Sequence, residues 1–407
     1  MPSHRRAVWI VLAAILIDTI GFGVVMPVLP GLVTRLGHLD VEGAARMAGW
    51  MLVVFAVGQF VAGPVLGALG DRFGRRPVLV LAMAAFAIDY GLMAWAPSLG
   101  WLFLGRAIAG ISGALVGPAG AVIADVSPAE ERSAAFGKLG AAFGVGFIVG
   151  PAVGGLVAGL GERAPFAVAA LLAATNAIAM LALLPETLAP ENRRAFRWRE
   201  ATVVGAFKPL SGTGIAVPIL IAWFLWQLGA VAYPATWAFW ATIVLGWNAR
   251  AIGASLAFIG VMTVLVQTLV VKRAVARLGE RRAALLGLAV GMATLLAYAF
   301  VDRAWLVYAV YVPGALGGLA YPAMNGILSR LVDARHQGSL QGGLGSLNSV
   351  AAIVGPVLAT QSLAAGAAHG FAGAAFLVGA VLVGTALAIV SVSLPRQPIE
   401  RSESAEA

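Results

Sequence analysis

Three ionisable residues stand inside long apolar runs: Asp18, Asp89 and Arg106. A charge held at the centre of a bilayer costs about 2.5–3.5 kcal/mol on insertion scales, so such residues line a water-filled path or pair with one another. Desolvation favours the neutral form of a carboxyl group, which makes Asp18 and Asp89 candidates to carry a proton. Arg106 would hold one carboxylate ionised in one conformation and release it in the other. A static structural ion pair is the competing reading.

A second set of charges lies in a short loop, Gly67-Ala-Leu-Gly-Asp71-Arg72-Phe-Gly74-Arg75-Arg76-Pro77. A tight turn favours glycine, and Pro77 suits a first helical position, where its missing N–H is not needed. Arg75 is placed to bridge Asp71 to Asp125, at the end of the fourth apolar run. Asp71 is expected to face the positive end of a helix beginning near Gly338. With Arg72 and Arg76, these residues would latch one side of the molecule. The bland alternative is a loop of solvated charges.

The apolar runs of the second half contain no Asp, Glu, Lys or Arg well inside. Uncharged amides take their place: Gln227, Gln267, Asn325 and Asn348, which with Gln59 of the first half are the candidate substrate contacts. Trp223, Trp226, Trp237, Trp240 and Tyr321 accompany them, and such a wall suits a bulky, partly apolar guest. The tryptophans from Trp237 onward fit an interfacial belt equally well. Gly110, Gly113 and Gly117 share a helical stripe with Arg106. Gly146, Gly150, Gly154 and Gly155 form a ridge beside Pro151. Both patterns read as close helix packing.

Whatever positions these residues is not a water-soluble domain. Sixty per cent of the 407 residues are hydrophobic and 11% charged, with a mean hydropathy of +0.92; soluble domains carry about a quarter charged residues. Apolar runs long enough to span a bilayer recur throughout, at 7–29, 47–69, 77–96, 101–124, 133–160, 166–184, 215–242, 252–271, 283–301, 305–328, 338–364 and 371–394. The predicted fold is therefore all-α and polytopic, with about twelve transmembrane helices. The net charge of +9 does not point to nucleic acid, because the basic residues sit in short loops between apolar runs. There is no cysteine, which removes disulfides and thiolate chemistry. His4, Arg5 and Arg6 precede the first run, which continues past Asp18 to Pro30 without a cleavage pattern and reads as an uncleaved helix.

Of the 27 lysines and arginines, Arg35, Arg46, Arg163, Arg250 and Arg303 fall on one side and Arg106 lies within the membrane. The remainder share the side of the two termini, which the positive-inside rule makes cytoplasmic. The halves also repeat. Residues 71–76 align with 276–281 and Gly150-Pro151 with Gly355-Pro356, both 205 residues apart, while Gly110, Gly113 and Pro118 match Gly314, Gly317 and Pro322 at 204. Such matches indicate duplication of a six-helix unit, an arrangement that rocks about a midplane site. The expected division is a six-helix bundle over 1–185, a cytoplasmic linker over 186–212, a second bundle over 213–395 and a cytoplasmic tail over 396–407.

Residues 67–77 resemble the signature loop of the major facilitator superfamily. The ridge from Gly146 to Gly155 is similar to the glycine-proline motif of its proton-driven antiporters, and Arg106-x-x-x-Gly110 to their fourth-helix arginine motif. More closely, 18–27, Asp89-Tyr90, Leu184-Pro185-Glu186 and Val354-Gly355-Pro356 resemble the bacterial tetracycline efflux pumps of the twelve-helix drug/proton antiporter family. The resemblance implies a proton-coupled exporter in the bacterial inner membrane. Its cargo would be a drug-like molecule such as tetracycline, carried alone or as a metal complex. It implies functional roles for Asp18, Asp71, Asp89 and Arg106, and no cofactor or metal site of the chain's own. The chain departs from those pumps at Thr263 and Gly291, where they carry histidine and aspartate. A sugar or metabolite transporter on the same fold is the rival reading. A membrane sensor or intramembrane enzyme fits poorly: no HExxH occurs, and His4, His38, His336 and His369 fall in termini or loops.

Overall fold

The computed structural model describes residues 2–112, 116–193, 216–332 and 337–394. Sixteen α-helices follow in chain order. Those of the first half are α1 (Pro2–Val25), α2 (Leu29–Gly37), α3 (Val41–Phe73), α4 (Arg75–Trp95), α5 (Leu99–Ser112), α6 (Val116–Val126), α7 (Ala129–Val157) and α8 (Ala164–Leu183). Those of the second are α9 (Ala216–Ala230), α10 (Ala232–Leu245), α11 (Ala249–Leu265), α12 (Val271–Phe300), α13 (Ala304–Gly314), α14 (Ala320–Arg330), α15 (Gln337–Ala368) and α16 (Ala374–Ser393). No strand occurs among the described residues.

Eleven helical stretches of the described residues are long and apolar enough to cross a membrane, and the one over 249–300 runs for 52 residues. A single crossing needs about 20 residues. That stretch bends at Gly279, whose φ of 76° and ψ of 161° are not helical, so it crosses twice and the total is twelve. The loop expected over 272–282 is thus a correction: apart from Gly279 it is helical. Its Lys, Arg, Ala and Leu are good helix formers, so charge ends the membrane span without ending the helix. Two further differences lie on the face away from the termini. α2 is a short helix beyond the first span, and α3 begins six residues before the expected 47. Asp40 sets that start by accepting a hydrogen bond from the Gly43 N–H at 2.7 Å. Asn248 caps α11 through the Ala251 N–H at 3.0 Å, so the second and eighth crossings open alike.

Packing follows the repeat. α1 lies on α7 and α8, α4 on α8 and α5, and α3 on α5; in the second half α16 lies on α9 and α12, and α15 on α9 and α10. The halves meet where α7 packs on α11 and α3 on α15. These seams are closed near the face away from the termini. A side chain at Gly49 would collide with Thr360, and one at Gly155 would come within 2.9 Å of the Ala249 carbonyl. Toward the terminal face the surfaces separate: Gly137, Gly140, Gly342 and Gly345 would each meet nothing within 4 Å. The bundle is therefore shut at one face and open at the other. Most of the expected linker, from 194, and the tail from 396 lie outside the described residues, as does Gly113.

Candidate functional site

Asp89 on α4 and Arg106 on α5 form an ion pair with side chains 0% and 7% exposed. Arg106 Nε donates to Asp89 Oδ1 at 3.2 Å, and Nη2 pairs with Oδ2. Gly105 permits the approach, since a Cβ there would lie 2.5 Å from the same carboxylate. The guanidinium also stands 5.6 Å from the Phe55 ring centre and 5.8 Å from that of Tyr90, which adds cation–π attraction in a dry setting. Removing one member of such a pair strands a buried charge at a cost of about 3–5 kcal/mol. Asp18 stands apart from this pair. No cation pairs with it among the described residues. On α1 it precedes Thr19, which faces Gly146, and Gly21, which faces the Tyr90 ring.

At the terminal face Arg75 reaches Asp71 at 2.7 Å and Asp125 at 3.3 Å. Arg72 covers the ring of Phe73 at 4.9 Å, and Arg76 donates to the carbonyl of Leu181. The expected approach of Asp71 to the helix beginning near Gly338 is not made. That helix begins at Gln337, and among the described residues Asp71 pairs with Arg75 on its own side. The open face explains this, because the halves are separated where the two would meet.

One residue was missed by the sequence reasoning. Glu186 accepts from the backbone N–H groups of Arg75 at 2.8 Å and Arg76 at 3.3 Å, and from those of Thr187 and Leu188 at 3.0 Å each. It thereby satisfies the orphan donors at the start of α4 with a negative charge. The matching place in the second half has Gly279 at positive φ. There Glu280 is paired with Arg330 at 2.9 Å, and Arg281 donates to the carbonyls of Leu394 and Ser391 at 3.2 and 3.1 Å.

The glycine ridge of α7 runs along α1. Side chains at Gly146 and Gly150 would come within 2.5 Å of Thr19 Cβ and 2.7 Å of the Ile20 carbonyl, and one at Gly154 would collide with Val24. Gly155 turns instead toward Arg250 of the other half, and Gly253 there packs on Pro151. Gly110 abuts the Phe55 backbone, joining α5 to α3.

Two adjoining cavities occupy the space between the halves. One of about 330 Å³ is lined by Gln59, Tyr90 and Arg106 among largely apolar residues. The other, of about 570 Å³, is lined by Tyr233, Thr263, Gln267 and Thr268 against an apolar stretch of α7. They share Met26, Phe147, Pro234 and Leu256. Gln59 and Gln267 thus reach the interior space. Gln227 and Asn348 instead join helices, with Asn348 Oδ1 accepting from Trp223 at 2.8 Å and Gln227 at 2.9 Å. Asn325 accepts from Gln341 at 3.0 Å. Trp237 and Trp240 are each 1% exposed and stack at 5.2 Å. They belong to the core, which corrects the reading of them as an interfacial belt.

The family model described as Major Facilitator Superfamily matches residues 11–356 and 264–407. The tetracycline resistance protein, class C, of Escherichia coli is 39% identical over 380 residues, 93% of this chain and 95% of that protein. The class G protein of Vibrio anguillarum is 35% identical over 98% of this chain and 99% of its own length. Among solved structures, the nucleoside transporter NupG superposes with a TM-score of 0.74 at 14% identity, covering 95% of this chain and 98% of that one. The human organic anion transporter MFSD10 gives 0.71 at 22%, over 96% and 100%. These two likenesses speak for the fold. A twelve-crossing bundle in two repeated halves with cavities between them, matched along nearly its whole length by these relatives, is a multi-pass membrane transporter: the chain belongs to the major facilitator superfamily, in the family that holds the tetracycline resistance proteins.

Proposed function

We propose that the chain exports a drug-like small molecule from the bacterial cytoplasm across the inner membrane in exchange for protons. The terminal face is cytoplasmic in this reading, which places the excess of lysine and arginine inside. Residues 1–185 and 213–395 are the two rocking bundles, joined by the cytoplasmic linker 186–212 and followed by the cytoplasmic tail 396–407.

The observation that carries the proposal is the buried Asp89–Arg106 pair beside a cavity lined by Arg106 itself. Protonating Asp89 would leave Arg106 without a counter-charge, so the guanidinium would turn toward the cavity or toward another acid. Asp18, without a cation among the described residues, is the second proton-sensitive group. Asp71, Arg72, Arg75, Arg76 and Asp125 act as the cytoplasmic latch: the Arg75 pairs stay formed within the first half while that face is open, and closure would add the contact of Asp71 with the start of α15. Pro151 and Gly155 let the two bundles tilt against each other, while Gly146, Gly150 and Gly154 keep α7 close to α1 within the first bundle. Gln59 and Gln267 contact the cargo from opposite halves, and Gln227, Asn325 and Asn348 fix the helices behind it. The named relatives make a tetracycline the first cargo to try, alone or as its metal complex. One proton descending about 100 mV supplies roughly 2.3 kcal/mol, enough for an outward gradient of about fifty-fold.

The test is uptake of tetracycline into inverted membrane vesicles. Collapsing the proton gradient is expected to abolish uptake, as are Asp89→Asn and Asp18→Asn. Uptake that persists without the gradient removes proton coupling, and full uptake by either variant removes that acid from the mechanism.

A further inference from the structure

The larger cavity is a crevice through the wall between the halves. Its sides are α7 and α11, which touch toward the far face and part toward the terminal face. A side chain at Gly253 would collide with the Pro151 carbonyl, and one at Gly260 would come within 2.7 Å of Ile148. One at Gly144 would just touch Val264, at 3.4 Å, while those at Gly140 and Gly137 would meet nothing within 4 Å. The gap therefore opens at Gly144 and widens toward the terminal face.

Helix geometry gives the crevice an inner and an outer edge, since residues four, seven or eleven apart share a stripe. On α11 one stripe holds Leu256, Thr263 and Gln267, and Leu256 also lines the smaller cavity. On α7 the matching stripe holds Phe143 and Phe147, and Phe147 also lines both cavities. This edge faces the space between the halves. The opposite edge carries Val145 and Val149 of α7, 46% and 36% exposed, and Val261 and Leu265 of α11, 40% and 42% exposed. In helices that cross a bilayer such aliphatic side chains face the lipid. Val145 lines the crevice too, as does Thr268, seven residues beyond Val261. A single space of about 570 Å³ thus reaches from the lipid edge to the central cavity. None of the described residues lining it is charged. Thr263 and Thr268 turn their hydroxyl protons onto the Ile259 and Val264 carbonyls of their own helix, at 2.9 and 2.8 Å.

We infer that this crevice is a side entrance, through which a largely apolar cargo dissolved in the leaflet of the terminal face passes between α7 and α11 into the central space. Entry from lipid offers the protein a cargo already concentrated by partitioning. This rests on the reading above that the space between the halves holds the cargo, and it is independent of proton coupling.

The probe is a trifluoromethyl-phenyldiazirine, an uncharged photolabel that dissolves in the bilayer and on illumination bonds to the side chains it touches. The full chain is reconstituted in lipid vesicles, illuminated, and mapped by peptide mass spectrometry. Label is expected on Phe143 and Phe147 of the inner edge as well as on Val145 and Val149 of the outer. Gly140→Trp places a plug where a side chain meets nothing, and Ala141→Trp is the second plug. Each is expected to lower inner-edge labelling several-fold and to leave Val149 labelled, which reports that the variant has folded. Gly342→Trp, in equally open space on α15, is expected to change neither edge. Label confined to the outer edge of the parent chain overturns the inference without recourse to any variant. So does inner-edge labelling that survives both plugs, or that Gly342→Trp lowers equally. Excess tetracycline during illumination separates the entrance from the reading it rests on. Inner-edge labelling that the plugs remove and tetracycline leaves untouched keeps the entrance and discards tetracycline as cargo.

Discussion

The loop before α4 and the bend inside α12 stand 205 residues apart and share one backbone. Gly74 and Gly279 have φ of 105° and 76° with ψ of 162° and 161°. The next residue in each case is charged and tied to the end of the fourth or tenth crossing, Arg75 to Asp125 at 3.3 Å and Glu280 to Arg330 at 2.9 Å. Asp125 and Arg330 are themselves 205 apart, and the signs are exchanged. One residue further, Arg76 and Arg281 both reach carbonyls near the end of the last helix of their half. The turn and the reach are kept while the sign is free, because an ion pair is equally attractive either way round. The first half alone adds Asp71, where the second has Ala276. Its arginine is 14% exposed, whereas Arg330 is 63% exposed. Inside the bilayer the contrast is sharper. The position equivalent to Asp89 is Thr294, whose hydroxyl serves its own helix through the Val290 carbonyl at 2.8 Å.

The largest effect is expected where the halves differ most. Asp89→Ala strands Arg106 and should destabilise the protein by about 3–5 kcal/mol. Thr294→Ala should cost no more than about 1 kcal/mol. Thermal unfolding in detergent checks both, and equal shifts would erase the distinction. Next come the glycines, whose backbone region is nearly closed to other residues and costs about 1–3 kcal/mol when filled. Gly279→Ala should show that strain alone, since its Cβ would meet nothing within 4 Å. Gly74→Ala should exceed it, since its Cβ would collide with the Glu186 carboxylate. A Glu186→Ala background should narrow the gap. The exchanged signs give a finer test. Arg75→Glu with Asp125→Arg should fold and transport poorly, because Asp71 would then face a carboxylate; adding Asp71→Ala should restore most of the loss in an efflux assay. Smallest of all, Arg330→Gln removes an exposed partner and should change stability by less than about 1 kcal/mol.

The membrane spans, the repeat and the acids placed within the spans were legible because each leaves a local trace: a run of apolar residues, a spacing, a charge out of place. Asp71, Arg75 and Asp125 could be joined on paper because the loop and the end of the fourth run face the same side. Glu186 could not, since the partners that tie it to α4 are backbone N–H groups 110 and 111 residues away and no side-chain pattern marks them. The pairing of Asp89 rather than Asp18 with Arg106 depends on how α4 meets α5 at Gly105, a matter of helix rotation. Trp237 and Trp240 were ambiguous because tryptophan serves membrane borders and cores alike. Their place was decided by Tyr298 and Phe376, about 60 and 140 residues further on.

α7 touches α1 along one side and α11 along another, and in both places much of the contact is backbone against backbone. Surfaces of that kind have few interlocked side chains to disengage, so they can slide over one another like a shaft in a bearing. A single methyl group placed on either side of α7 would act as grit, and where it was placed would decide whether motion within one bundle or between the two was stopped.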